Sequence, residues 1–167
     1  SGMIRKGSSH LPDLGSGIAK NIDARSKTTA TKRFIANKWT DYELHFLPLL
    51  TVFLRGVLAY TVCLTKEGLT LVVDGSQMGK DNAGLMISLV WRKRGIPICW
   101  LVKSGAKGHF KVEDHLAVVQ KAFEVLRGII PGDVRVNLLG DGEFDAIELQ
   151  ELCLFFGWNY VLIQNLH

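Results

Sequence analysis

Apolar residues recur along this chain in two rhythms, one of helices and one of strands. Leu44, Leu47, Leu50, Leu54, Val57 and Leu58 fall at helical spacing and predict a long helix running toward Tyr60. Thr40-Asp41-Tyr42-Glu43 ahead of them spells a capping box with Thr40 at the N-cap. Pro48 marks either a kink in that helix or the place where it begins. Val112, Leu116, Val119, Phe123 and Leu126 predict an amphipathic helix closed by Gly128. Leu149, Leu152 and Phe156 predict another, N-capped by Asp145 and stopped by Gly157. Between these helices the rhythm changes. Leu69-Thr70-Leu71-Val72-Val73 is solidly aliphatic and β-branched, as a strand buried on both faces would be. Leu85–Trp91, Ile96–Val102, Val134–Leu139 and Trp158–Ile163 predict four more strands. The basic turn Arg92-Lys93-Arg94-Gly95 joins two of them into an antiparallel meander.

From Leu69 the order is therefore β-β-β-α-β-α-β, an α/β fold with a mixed five-stranded sheet and helices on its faces. Ahead of it, 18–39 has a helical texture and the first fifteen residues read as loop. This predicts a helical region over 1–62 and the sheet domain over 63–167. A chain of 167 residues, 47% hydrophobic and 22% charged, is long enough to bury a core and is not of disordered composition. Ser1-Gly2 reads as a remnant of cloning before a start methionine. The apolar stretch from Leu44 to Leu64 is interrupted by Pro48, Arg55 and Gly56, which argues against a membrane span. Cys63, Cys99 and Cys153 form no CxxC pair, which argues against zinc and against a disulfide framework, and fits a cytoplasmic setting.

Charge changes the picture at the front of the chain. The net charge of +4 is unevenly spread: residues 1–40 carry eight Lys and Arg against two Asp, and the remaining 127 carry twelve against fourteen acids. Lys27, Lys32, Arg33 and Lys38 are interleaved with Thr28, Thr29 and Thr31, the residue types that contact DNA phosphates. A solvated basic face is the plainer alternative.

Two strands deliver an Asp into a glycine: Val73-Asp74-Gly75, and Leu139-Gly140-Asp141-Gly142. Either Asp alone reads best as a turn residue bonded to its own loop. Two adjacent strands ending this way bring two carboxylates together, which is how a protein holds a divalent cation, Mg²⁺ or Mn²⁺. Gly75-Ser76-Gln77-Met78-Gly79-Lys80 is not a phosphate-binding P-loop, because it is one residue short and has Asp81 where Ser or Thr is required. The five histidines lack metal-site spacing; His109 is a loop residue within reach of the site. Glu143 is open between a solvent-exposed and a supporting role.

Residues 69–163 resemble the catalytic core of bacterial insertion-sequence transposases of the DDE type, in the group with a ribonuclease-H-like fold and an inserted domain. The likeness is carried by Val72-Val73-Asp74-Gly75-Ser76 with Gly79-Lys80, by Ile96-Pro97-Ile98-Cys99-Trp100-Leu101-Val102, by Lys107-Gly108-His109-Phe110, and by Leu139-Gly140-Asp141-Gly142-Glu143-Phe144-Asp145. It implies a ribonuclease-H-like sheet and Mg²⁺-dependent cleavage and strand transfer of double-stranded DNA at transposon ends, with Asp74 and Asp141 as catalytic metal ligands. Lys80, His109 and Glu143 would stand behind them, and the basic helical front would bind DNA, with pairing as a homodimer allowed. The family's third carboxylate is a Glu on a helix past the fifth strand, where this chain ends. The resemblance therefore implies a truncated transposase with little activity. A regulatory remnant and another ribonuclease-H-like nuclease, using Glu113 or Glu143, are the alternatives.

Overall fold

The computed structural model describes residues 23–37, 41–64, 68–78, 80–105 and 110–162. The chain divides into two compact units, Ser1–Leu49 and Leu50–His167.

In the first unit, helix α1 spans Ala24–Ile35. Asp23 caps it, accepting a hydrogen bond from the Ser26 amide at 3.0 Å. Thr28 and Thr29 donate their hydroxyls back to the carbonyls of Ala24 and Arg25, at 3.0 and 2.9 Å. Those hydroxyls are engaged inside the helix. A π-helical turn follows at Tyr42–Phe46. Its N-cap is Asp41, which accepts from the Leu44 amide at 2.8 Å; Thr40 lies outside the described residues.

Helix α2, Leu47–Leu64, runs across the boundary between the units. Pro48 sits in its first turn, where an amide hydrogen would have no partner to lose. Leu50, Leu54, Val57 and Leu58 form its buried stripe, while Leu49 and Val52 are each 72% exposed. Among the described residues, Tyr42–Tyr60 is one helical stretch long and apolar enough to cross a membrane by length and composition alone.

The second unit is built on a sheet of strands β1 Leu69–Met78, β2 Asn82–Trp91, β3 Arg94–Ser104, β4 Val136–Gly140 and β5 Asn159–Leu162. Their order across the sheet is β3-β2-β1-β4-β5. β1, β2 and β3 pair antiparallel, whereas β4 joins β1 and β5 joins β4 in parallel. The mixed α/β class expected from the sequence is present, and the expected element order holds from Leu69 onward.

One expectation changes. β1 does not turn away at Gly75 but continues to Met78, because Gly75, Ser76, Gln77 and Met78 stay paired with β2. Only the ladder to β4 stops early, at the pair Val72 and Leu139. Asp74 therefore lies within a strand that is held on one side and released on the other.

Helix α3, Val112–Arg127, and helix α4, Ile147–Phe155, complete the unit. The buried stripe of α3 is Asp114, His115, Val118, Val119, Ala122 and Leu126, turned relative to the expected one so that a histidine faces inward. Gly128 closes the helix with a right-handed φ of −87°. Ala146, rather than Asp145, takes the N-cap position of α4, with no side-chain cap.

The alternation along the strands divides the sheet into two faces. Leu69, Leu71, Val73 and Gly75 are buried, as are Ala83, Leu85, Ile87 and Leu89 on β2 and Val136, Leu138 and Gly140 on β4. α3 packs against β2 and β3, and the Cys99 thiol donates to the Val118 carbonyl at 3.5 Å. Phe123 stacks on Phe156 at 3.9 Å between ring centroids, with Trp158 against both, tying α3 to the end of α4. On the opposite face Val72, Asp74, Ser76, Met78, Met86 and Val90 line an open concavity of about 440 Å³.

At the β2–β3 turn both Arg92 and Lys93 are left-handed, with φ of 48° and 64°. This is the backbone a two-residue hairpin needs, at a cost of roughly 1–2 kcal/mol for each residue that is not glycine. The Arg92 guanidinium lies 5.4 Å from the rings of both Tyr60 and Trp91, which offsets part of that cost.

Candidate functional site

The parallel register brings the ends of β1 and β4 together. Val72 pairs with Leu139 as the last pair of the ladder, and Asp74 and Asp141 each follow two residues beyond it. Both are exposed. Ser76 donates its hydroxyl to Asp74 Oδ2 at 3.1 Å. Asp141 caps the 3₁₀ turn Gly142–Phe144, its Oδ1 accepting from the Glu143 amide at 3.0 Å. Each aspartate is thus oriented through one oxygen and keeps the other for a ligand.

Glu143 reaches the end of β1 from the covered side, the face of the sheet opposite Asp74. A methyl placed on Gly75 would lie 3.5 Å from Glu143 Oε2 and 3.7 Å from Oε1, so the carboxylate rests on the glycine that follows Asp74. Oε1 is buried and has no hydrogen-bond partner. Phe144, fully buried, anchors the turn from below, and Tyr160 on β5 donates its hydroxyl to the Phe144 carbonyl. Burial pushes the Tyr160 phenol well above its ordinary range, so it remains a donor.

Sequence reasoning missed His115. Its ring is 3% exposed and packs on Phe144 at 4.7 Å, and neither ring nitrogen has a hydrogen-bond partner. Burial lowers its pKa, against the opposing pull of Glu143 and Asp114, which favours neutral imidazole. The signal was present: 115, 118, 122 and 126 share a helical face with the core residues of α3. Asp114 beside it is ion-paired with Lys103 and accepts from the Lys111 amide at 3.1 Å.

The other candidates lie apart. Lys80 is at the tip of the β1–β2 hairpin, six residues beyond Asp74 and exposed. Lys27, Lys32 and Arg33 are on α1 in the first unit. Lys38 and His109 lie outside the described residues. Among the described residues no three His, Cys, Asp or Glu side chains are grouped so that they could hold a metal ion.

No family model matches the chain, and no curated protein matches it. Two solved structures of the Ppx/GppA enzyme of Aquifex aeolicus are similar over 58% of this chain, at 13% and 12% identity. They give TM-scores of 0.30 and 0.31, and the match spans 36% and 35% of those chains. These findings correct the transposase reading: the neighbours are Ppx/GppA structures and no transposase model accompanies them. The motifs behind that reading are short. Strand-Asp-Gly segments recur wherever a strand ends near a polar site, so they do not carry a family by themselves. At these scores nothing of the Ppx/GppA activity passes to this chain.

Proposed function

We propose that the second unit is a Mg²⁺-dependent site for a phosphate-bearing substrate, with Asp74 and Asp141 as the cation's protein ligands. The observation that carries this reading is the parallel register, which leaves Asp74 and Asp141 each two residues past the last β1–β4 pair, each with one oxygen free. The donor set is all hard oxygen, which fits Mg²⁺. That ion is commonly bound by one or two carboxylates and takes its remaining ligands from water and from phosphate oxygens. A bound Mg²⁺ supplies neutralisation of phosphate charge. Ser76 and the Glu143 amide hold the aspartates in one rotamer, which reduces the ordering cost of binding. The strand order and directions support a ribonuclease-H-like reading of the sheet.

Calorimetric titration with Mn²⁺ tests the proposal, on the wild type and on Asp74→Ala and Asp141→Ala. We expect binding by the wild type, tightened by inorganic phosphate, and a loss of at least about tenfold in each variant. Equal binding by all three proteins removes the aspartates from the site. The basic face of α1, where Arg25, Ser26, Thr29, Ala30 and Arg33 line a shallow concavity, supports a separate contact with a phosphodiester backbone.

A further inference from the structure

One face of the sheet carries its exposed apolar side chains. Among the described residues, the large apolar side chains exposed on strands are Met78, Val90, Val102 and Val161, between 39% and 48% exposed. The register puts all four on the face of Asp74. Met78 and Val90 line the same concavity as Asp74, Val102 pairs with Gly84 of that concavity, and Val161 pairs with Leu139, the partner of Val72. α3 lies against the other face, where Cys99, the partner of Ile87, bonds to it. Five strands about 4.8 Å apart and roughly seven residues long make a face on the order of 500 Å². Two such faces laid together come close to the lower end of specific interfaces, about 1,200 Å² in total. Apolar surface of that extent marks an interaction site.

The charges on this face select its occupant. The concavity has Asp74 toward one end and Lys93 and Arg94 at the other. Among the described residues neither cation forms an ion pair. We propose that this face docks on the same face of a second copy of this chain, about a twofold axis that runs across the strands. Such an axis reverses strand direction, so the Asp74 end of each copy lies over the Lys93 and Arg94 end of the other, twice in one interface. An axis along the strands would instead set acid on acid and cation on cation, and like charges across an interface suppress association. Val72, Ser88 and Pro97 form one row across β1, β2 and β3, between the charged ends, and this row lies at the axis. Met86, one row toward the acid, then meets Val90, one row toward the cations. Met78 and Met86 are the unbranched, adaptable side chains that fill an irregular gap between two such surfaces. The proposal does not rest on the cation site, but the two share Asp74 and are therefore tested apart.

Sedimentation equilibrium of the full chain in EDTA, from about 1 to 300 μM, reads the dimer with no divalent cation at Asp74. The wild type is expected to dimerise. Asp74→Lys, and separately Lys93→Asp with Arg94→Glu, set like charges together at both ends of the interface. Each is expected to weaken the dimer at least about tenfold. Mixed in equal amounts, the two variants become complementary at both ends and should recover a dimer near wild-type affinity. All three positions are exposed, and circular dichroism checks that each variant folds. Should Asp74→Lys not fold, Lys93→Asp with Arg94→Glu decides alone, and wild-type affinity there overturns the proposal. A wild type that stays monomeric overturns it too, whether a segment of its own chain covers the face or nothing does. Dimers that ignore both charge reversals, or variants that stay apart when mixed, associate through another surface and overturn it as well. None of these outcomes bears on the Mn²⁺ titration, which decides the cation site by itself.

Discussion

Gly68→Ala probes the register on which the whole site depends. The Leu69 amide donates to the Arg135 carbonyl at 2.8 Å, and this bond opens the parallel ladder between β1 and β4. A methyl on Gly68 would lie 2.3 Å from that same oxygen and 2.8 Å from Arg135 Cβ. Backbone cannot swing aside as a flexible side chain can. Relief requires the two strands to part by roughly 1 Å, the extent of the overlap. Overpacking of this kind costs about 1–3 kcal/mol. Weakening the opening hydrogen bond adds about 0.5–1.5 kcal/mol. A total of about 1.5–4.5 kcal/mol is a large part of the roughly 5–15 kcal/mol typical of a domain. Gly56→Ala is the matched control, because it lies within α2 and a methyl there meets nothing within 4 Å. It should stabilise by about 0.5–1 kcal/mol through helix propensity. Urea unfolding followed by circular dichroism reads both. With m near 1–3 kcal/mol/M, Gly68→Ala should lower the midpoint by about 1–2 M. A midpoint unchanged from wild type would mean that β1 and β4 do not approach as described, and the proposed cation site at their ends would fall with it.

Two further outcomes are expected. Burial raises the Asp114 pKa, but the Lys103 ammonium and the Lys111 amide outweigh it and hold it below the ordinary 3.8, with His115 adding to the pull. Its contribution to stability is therefore complete above pH 3.8 and is lost as pH falls through the lowered value, so Lys103→Met should move the acid limb of a melting-temperature profile to higher pH. Because Lys103 is half exposed, the loss at neutral pH should be about 1 kcal/mol or less, and identical acid limbs would rule the pair out. Replacing Lys32 and Arg33 on α1 by Ala should reduce the salt slope of duplex binding by roughly 0.9 for each phosphate that is no longer neutralised. An unchanged slope would make that helix face merely solvated.

Pattern alone determined much of this protein. The five strands and the helices after Leu69 follow from apolar periodicity and from glycine punctuation, because local propensity and burial agree along those stretches. The two aspartates were legible for a similar reason: a carboxylate after a run of aliphatics is conspicuous in a strand otherwise bound for the core. Family and function were not legible, since short strand-Asp-Gly motifs serve many folds alike. Tertiary structure decided what depends on residues distant in sequence. The exit of β1 moved from Gly75 to Met78 because β2 supplies partners that no local signal announces. Asp145 lost its expected cap because the 3₁₀ turn begun by Asp141 sets the chain's entry into α4. His115 became a core residue only when α3 docked with that face inward, packing its imidazole on Phe144, 29 residues later. Spacing along one element is a local property that sequence records directly. The meeting of two side chains across a packed interface is a property of the register, and only the folded chain fixes it.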